Sequence, residues 1–242
     1  MTTRQRTPAE LRAILASNEL FGALGGEELD RLLAYAHTAS YPAGAVIFQK
    51  GDPGQSLMAV LRGRVKISNV SLEGREAVHN LIDPGEVFGE IALLDGKERT
   101  ADATALEATE LLVLHRRDFI PFLESHPARI AIRLSEVLCA KLRRTTAVVE
   151  DSAFLTAAPR IAKALLRLAE EYGRRAGGGG GAAVRIDLKL SQRELGGMVG
   201  LARENVNRQL GEWREEGLIR VDHGHIVIED VERLGAIAEE LA

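Results

Sequence analysis

The spacing of hydrophobic positions changes twice along this chain. Over residues 8–38, Leu11, Ile14, Leu15, Leu20, Phe21, Leu29, Leu32 and Leu33 recur at helical intervals, and Gly22 and Gly25-Gly26 cut the run into short helices. From about 40 to 118 the apolar runs shorten to strand length: Val46 to Phe48, Met58 to Leu61, Val65 to Ser68, Ala77 to Ile82 and Glu110 to Leu114. Turn chemistry separates them, in Gly51-Asp52-Pro53-Gly54, Arg62-Gly63-Arg64, Glu73-Gly74-Arg75 and Asp83-Pro84-Gly85. Many short strands with regular turns predict a barrel or roll.

Helical spacing then returns. A short helix is expected over 119–124 and a long one over 127–150, with Ile130, Leu134, Leu138, Leu142, Thr145 and Val149 in a narrow stripe. Two packings satisfy such a stripe: a parallel pair with a second copy of the chain, or the β-roll of the same chain. Lys141, Arg143 and Arg144 flank it as solvated edges and favour the pair. Cys139 adjoins the stripe and reads as a small hydrophobe.

Beyond 153 the chain is helical from Pro159 to Tyr172, followed by the glycine run Gly177 to Gly181, a flexible turn insertion. Ser191 and Glu194 form a capping box for a helix through Leu195 and Met198 that stops at Gly200. A second helix over 203–216 places Val206, Leu210 and Trp213 on one face, and Gly217 ends it. Strands Ile219–Val221 and Ile226–Ile228 flank Asp222-His223-Gly224-His225. Helix, turn, helix and β-hairpin describe a winged helix-turn-helix. The domains are therefore expected at 1–126, 127–152 and 153–242, with an α+β fold overall.

Two groups of residues carry chemistry. In the segment Phe88 to Ala101, a carboxylate (Glu90) follows a glycine turn, and Arg99-Thr100 closes the stretch. Glu90 suits a ribose 2′-OH, and Arg99 offers a forked, permanently charged donor set to phosphate oxygens. Backbone amides around Gly89, Glu90, Ile91 and Ala92 can add anion-binding donors, because Gly89 allows a positive φ. The alternative is a structural Glu–Arg pair in a roll turn. On the second helix of the C-terminal motif, Arg203, Glu204, Asn207 and Arg208 face away from Val206 and Leu210. Arg203 and Arg208 can fork onto guanine, and Glu204 can accept from cytosine N4. In isolation these residues read as a solvated helix face with Arg–Glu pairs; the capped preceding helix, the Gly turn and the wing favour DNA.

Charge and cysteine content narrow the classes. The net charge of −4 gives no bulk signal for nucleic acid, so DNA contact must come from a local arrangement. A single cysteine excludes an intramolecular disulfide and a thiolate cluster, and the His223/His225 pair reads as a hairpin tip, so no metal is expected. No Ser-His-Asp grouping or Walker loop is visible, which argues against an enzyme. Met1 to Glu10 lack an apolar signal core, and a soluble, cytoplasmic protein without membrane association is expected.

The segment 88–101 resembles the phosphate-binding cassette of cyclic-nucleotide-binding domains, through Phe88-Gly89-Glu90, Ala92-Leu93-Leu94 and Arg99-Thr100-Ala101. Together with the roll before it and the helix-turn-helix after it, residues 20–228 resemble the cyclic-AMP receptor protein (catabolite activator) and fumarate–nitrate regulator superfamily of bacterial transcription factors. The resemblance implies a homodimer that binds cyclic AMP, with cyclic GMP as a possible effector, and that partners double-stranded DNA and RNA polymerase. It implies an N-terminal cyclic-nucleotide-binding β-roll, a long dimerisation helix and a hinge at Ala153-Phe154-Leu155. The family's adenine-contacting hydroxyl pair falls on Thr145 and Thr146, and its recognition residues on Arg203, Glu204 and Arg208, reading a half-site like TGTGA. Three departures bear on this. Ala202 replaces the serine that caps the recognition helix. The N-terminal cysteine cluster of oxygen-sensing relatives is absent. Haem-binding relatives lack an intact cassette, so His79 reads as a strand residue.

Overall fold

The computed structural model describes residues 6–18, 20–22, 24–125, 127–176 and 183–240, and the glycine run at 177–181 lies outside them. The chain divides into two compact units, residues 1–69 with 79–143, and residues 70–78 with 144–242. Each is built around its own apolar interior.

The first unit opens with helices α1 (Pro8–Ala16) and α2 (Gly26–Tyr35). Thr7 and Glu10 form a capping box on α1, with Pro8 in its first turn. The strands β1 (His37–Tyr41), β2 (Val46–Phe48), β3 (Ser56–Arg62), β4 (Val65–Val70), β5 (Glu76–Ile82) and β6 (Val87–Phe88) follow, Val70 and residues 76–78 being counted with the second unit. Helix α3 (Glu90–Asp95), strands β7 (Asp102–Ala105) and β8 (Thr109–His115), and helix α4 (Arg116–Ser125) come next; α5 (Pro127–Phe154) begins in this unit. The strands form two sheets, in the orders β1-β8-β3-β6 and β2-β7-β4-β5. This is the expected roll.

Strand β3 explains how the roll holds its helices. Met58 and Val60 join Val65, Ile82, Phe88, Ala103, Leu111 and Val113, residues drawn from both sheets. Leu57, Ala59 and Leu61 point the other way, with Leu112 and Leu114, into a core shared with Leu15, Leu20, Phe21, Leu29, Leu32, Phe119 and Phe122. A strand buried on both faces reads as a continuous apolar run instead of an alternation.

The stripe expected on α5 is buried at its start and open further along. Ile130 and Leu134 are buried in the helix–sheet core of their own chain, whereas Leu142 and Val149 are exposed. Ile132, 59% exposed and outside the expected stripe, joins them as an unburied apolar position. The expected stripe is thus open only from the middle of α5 onward, because the helix's first turns pack on the roll with Ile130 and Leu134.

The second unit contains α6 (Ala157–Tyr172), β9 (Gly173–Arg175), β10 (Val184–Ile186), α7 (Gln192–Val199), α8 (Arg203–Glu215), β11 (Ile219–Asp222), β12 (His225–Ile228) and α9 (Val231–Ala238). Its sheet runs β11-β12-β10-β9. Ile161, Leu165, Leu168, Leu195, Val206, Leu210, Trp213, Leu218 and Leu234 are buried. Ser191 and Glu194 close the capping box on α7, and Gly200 ends that helix at φ 64°. Helix α7 is therefore bounded at both ends, as the sequence predicts. The small sheet also includes β9 and β10, and α9 follows the wing; none of the three is legible in the hydrophobic spacing.

Candidate nucleotide and DNA sites

The segment 88–101 folds as a short helix between two glycines in left-handed conformation. Gly89 precedes α3 at φ 82°, and Gly96 follows it at φ 73°. A side chain at 89 would place its Cβ 2.5 Å from Arg99 Nη1, so glycine is required there for conformation and for space. Gly54 is required for space alone: a Cβ there would lie 2.1 Å from that of Ala92. The turn over residues 51–53 pins the returning strand, since Gly51 donates to the Arg99 carbonyl (2.9 Å) and Arg99 donates to the Asp52 carbonyl (2.8 Å).

Arg99 is 4% exposed. Its Nη1 donates to the Gly89 carbonyl (2.8 Å), and its Nη2 to the carbonyl (2.8 Å) and hydroxyl (3.0 Å) of Ser56. The guanidinium lies 4.2 Å from the centroid of the Phe48 ring, a cation–π arrangement. Its Nε is buried without a hydrogen-bond partner. Burial pushes the Arg99 pKa down, opposed by the charges of Glu90 and Asp52. The side chain is thus oriented by two backbone carbonyls and the Ser56 hydroxyl, and its buried Nε keeps no protein acceptor.

Glu90 heads α3, buried, with its carboxylate 2.7 Å from Lys141 Nζ of α5. Lys141 also donates to the Val87 carbonyl (3.3 Å). Sequence spacing assigned Lys141 to a solvated helix edge; it is instead the cationic neighbour of Glu90, and nothing in a separation of 51 residues announces it. Ser56 and Phe48 were likewise absent from the expected set.

Gly89, Glu90 and Arg99 come together. Ala92 is buried under Gly54, while Ile91 (43% exposed) and Thr100 lie at the surface. Thr145 and Thr146 are exposed on α5 and belong to the second unit.

On α8, Arg203, Glu204, Asn207 and Arg208 are all exposed, opposite the buried Val206, Leu210 and Trp213. No side chain caps the helix, since Ala202 occupies the cap position. Gln192 Nε2 donates to the Asn207 side-chain oxygen (2.9 Å) and ties α7 to α8. In the wing, His223 turns the chain at φ 49°, and Asp222 is held below the usual carboxylate range by the His223 hydrogen bond, helped by the charges of Arg220 and Arg185. His225 is buried, its Nδ1 3.1 Å from the Ile186 carbonyl. Among the described residues no three or more His, Cys, Asp or Glu side chains form a metal-binding group. No described helix is long and apolar enough to cross a membrane.

This geometry agrees with what the chain is similar to. Residues 38–126 match the cyclic nucleotide-binding domain, and residues 159–237 match the Crp-like helix-turn-helix domain. The chain is 36% identical over 228 residues to the cyclic AMP receptor protein of Thermus thermophilus, covering 94% of this chain and 100% of that protein. It is 32% identical over 221 residues to a CRP-like cAMP-activated global transcriptional regulator of Mycobacterium tuberculosis, covering 91% and 96%. Among solved structures it resembles the c-di-GMP responsive global regulator CLP of Xanthomonas campestris, with a TM-score of 0.73 at 26% identity, covering 85% of this chain and 100% of that one. The relatives are transcription regulators, and with its cyclic-nucleotide-binding roll and helix-turn-helix module this chain belongs to the same CRP/FNR family.

Proposed function

We propose that the protein is a homodimeric, cyclic-AMP-responsive regulator that reads palindromic DNA when the nucleotide is bound. The observation that carries this reading is a buried guanidinium, Arg99, with one Nε donor that no protein group accepts, beside a buried carboxylate, Glu90. A cyclic phosphate satisfies Arg99 and the Gly89–Ala92 amides, and the ribose 2′-OH donates to Glu90. Thr145 and Thr146 supply hydroxyls for the purine. The open face of α5, with Ile132, Leu142 and Val149 exposed, forms the seam between two copies. Arg203, Glu204, Asn207 and Arg208 enter the major groove, with base contacts from Arg203, Glu204 and Arg208. Ligand control follows if the nucleotide binds the DNA-competent arrangement more tightly than the other.

The names of the Thermus and Mycobacterium relatives support cyclic AMP as effector. The second reading keeps the DNA module and changes the nucleotide, to cyclic GMP or another, or dispenses with an effector; the Xanthomonas neighbour, described as c-di-GMP responsive, favours retaining this reading. Calorimetric titration with cyclic AMP and cyclic GMP, followed by gel shift on a palindrome with and without each, separates the two. Absence of cyclic AMP binding overturns the first reading, and specific DNA binding that neither nucleotide changes leaves a regulator with another effector or none.

A further inference from the structure

A cavity of about 40 Å³ lies within the second unit, where the end of α5 meets α6 and the last turn of α7. Its wall carries the cationic side chains Arg160, Lys163 and Arg167, one carboxylate, Asp151, and the apolar Val148 and Val199. Lys163 Nζ is 2.6 Å from Asp151, and that carboxylate is thereby engaged. Arg160 donates to the Val199 carbonyl and, at 3.4 Å, to the Ser152 hydroxyl.

Arg167 differs from its neighbours. Its Nε is buried without a hydrogen-bond partner, and a second cation, Arg144, acts on it alongside Glu171 and Asp151. Four cationic groups (Arg144, Arg160, Lys163, Arg167) thus stand against two carboxylates, an excess of two positive charges. Burial pushes the pKa of Arg167 down, and Arg144 pushes it further the same way. A buried guanidinium N–H without an acceptor costs free energy, and the groups that satisfy it best are oxyanions with several oxygens.

Size selects among oxyanions. A single water needs roughly 10–15 Å³ of such space, so the cavity takes a group of a few heavy atoms and excludes a purine ring. We infer that it is a binding site for a tetrahedral phosphoryl oxyanion, free in solution, which Arg167 and Lys163 hold and which ties the end of α5 to α6 and α7. It shares no residue with Glu90 and Arg99, so its failure and the failure of the cyclic-nucleotide reading are separate results.

The test is titration of the purified full-length protein with inorganic phosphate, at constant ionic strength against chloride, by calorimetry and by phosphorus NMR line width. One saturable site per chain is expected, weakened at least about tenfold in Arg167→Gln and in Lys163→Met, as loss of a charge-assisted bond implies. Thermal unfolding should shift upward with phosphate in the wild type and not in the variants. Lys163 is 44% exposed, so Lys163→Met keeps the comparison available where Arg167→Gln fails to fold. Glycerol phosphate distinguishes a closed cavity from one that admits a phosphoryl end; binding of inorganic phosphate alone, or of both, supports the site. Three results overturn it: no saturable binding up to tens of millimolar phosphate, affinity unchanged in both variants, or no binding of free phosphate while Arg167→Gln lowers DNA affinity and its salt slope. The last outcome would assign the cationic cluster to the DNA backbone.

Discussion

Lys141 Nζ lies 2.7 Å from Glu90, whose side chain is 4% exposed, while that of Lys141 is 31% exposed. The pair joins the first turn of α3 to the middle of α5, and the same ammonium reaches the Val87 carbonyl just before the cassette. Any hydroxyl that donates to Glu90 therefore approaches a carboxylate already held by a cation from the long helix. If the proposed nucleotide occupies this site, its contact with Glu90 meets α5 directly, through Lys141.

Lys141→Met leaves the Glu90 carboxylate buried without its cation. A fully buried pair broken this way loses about 3–5 kcal/mol; Lys141 is close to one-third exposed, which reduces the expected loss to about 1–3 kcal/mol. Adding Glu90→Gln removes the stranded charge, and the double variant should recover part of that loss. Denaturant unfolding of the four proteins in the cycle measures the coupling. Losses that add without recovery would mean the pair contributes nothing in solution.

Arg99→Ala removes the buried anion donor, and nucleotide affinity should fall by about 1.5–3 kcal/mol, roughly ten- to more than a hundredfold. Arg99→Lys should not rescue it, since one ammonium cannot replace a fork that holds the Gly89 carbonyl and Ser56 together. Gly89→Ala should resemble Arg99→Ala: its Cβ would collide with Nη1 at a φ of 82°, displacing the guanidinium. A 2′-deoxy ligand should lose the Glu90 contribution. Calorimetry on each variant reads these differences, and wild-type affinity in Arg99→Ala would remove the cassette assignment.

The two ends of α5 make opposite predictions. Leu134 is buried in its own chain, so Leu134→Ala should destabilise the fold by about 2–5 kcal/mol. Leu142 is 67% exposed, so Leu142→Glu should cost little in the isolated chain and shift the protein from dimer to monomer. Sedimentation velocity with parallel thermal unfolding distinguishes the outcomes. An unchanged dimer in both Leu142→Glu and Val149→Glu would place the seam elsewhere.

The contrast within α5 shows where the sequence was legible. Its spacing located a helix and an apolar stripe, yet periodicity does not say which partner covers which turn, and Ile130 and Leu134 went to the roll. Strand β3 was readable because Leu57 to Leu61 are apolar on both faces. Strands β1 and β7 were not, because His37-Thr38-Ala39-Ser40-Tyr41 and Asp102-Ala103-Thr104-Ala105 carry little apolar signal and are fixed by pairing with β8 and β4. In the segment 88–101, Gly89, Glu90 and Arg99 stand close together in sequence, and the fold brings them together. Ser56 and Lys141, which orient Arg99 and Glu90, come from 43 and 51 residues away and had no local signature. Helix α8 and its exposed face were legible by local rules alone, from the Ser191–Glu194 cap and Gly200 that bound α7 and the buried Val206, Leu210 and Trp213.

That exposed face carries the last prediction. A two-fold protein that places α8 in each of two major grooves should prefer a palindrome with half-site centres about 34–36 Å apart, one turn of the duplex. Arg208 is exposed and makes no salt bridge among the described residues, so its fork is available to a guanine edge. Arg208→Ala should therefore cost about 1–3 kcal/mol on the cognate site and relax preference at one base pair. Asn207 is held by Gln192, so Asn207→Ala should act through the α7–α8 contact and weaken all sites by a similar factor. A phosphate contact behaves differently again, lowering affinity for every sequence and flattening the salt dependence. The measurement is binding to cognate and scrambled palindromes at one salt concentration, with and without cyclic AMP. Equal losses on both duplexes in Arg208→Ala would assign this arginine to the backbone, and specific binding indifferent to the nucleotide would uncouple the roll from the reader.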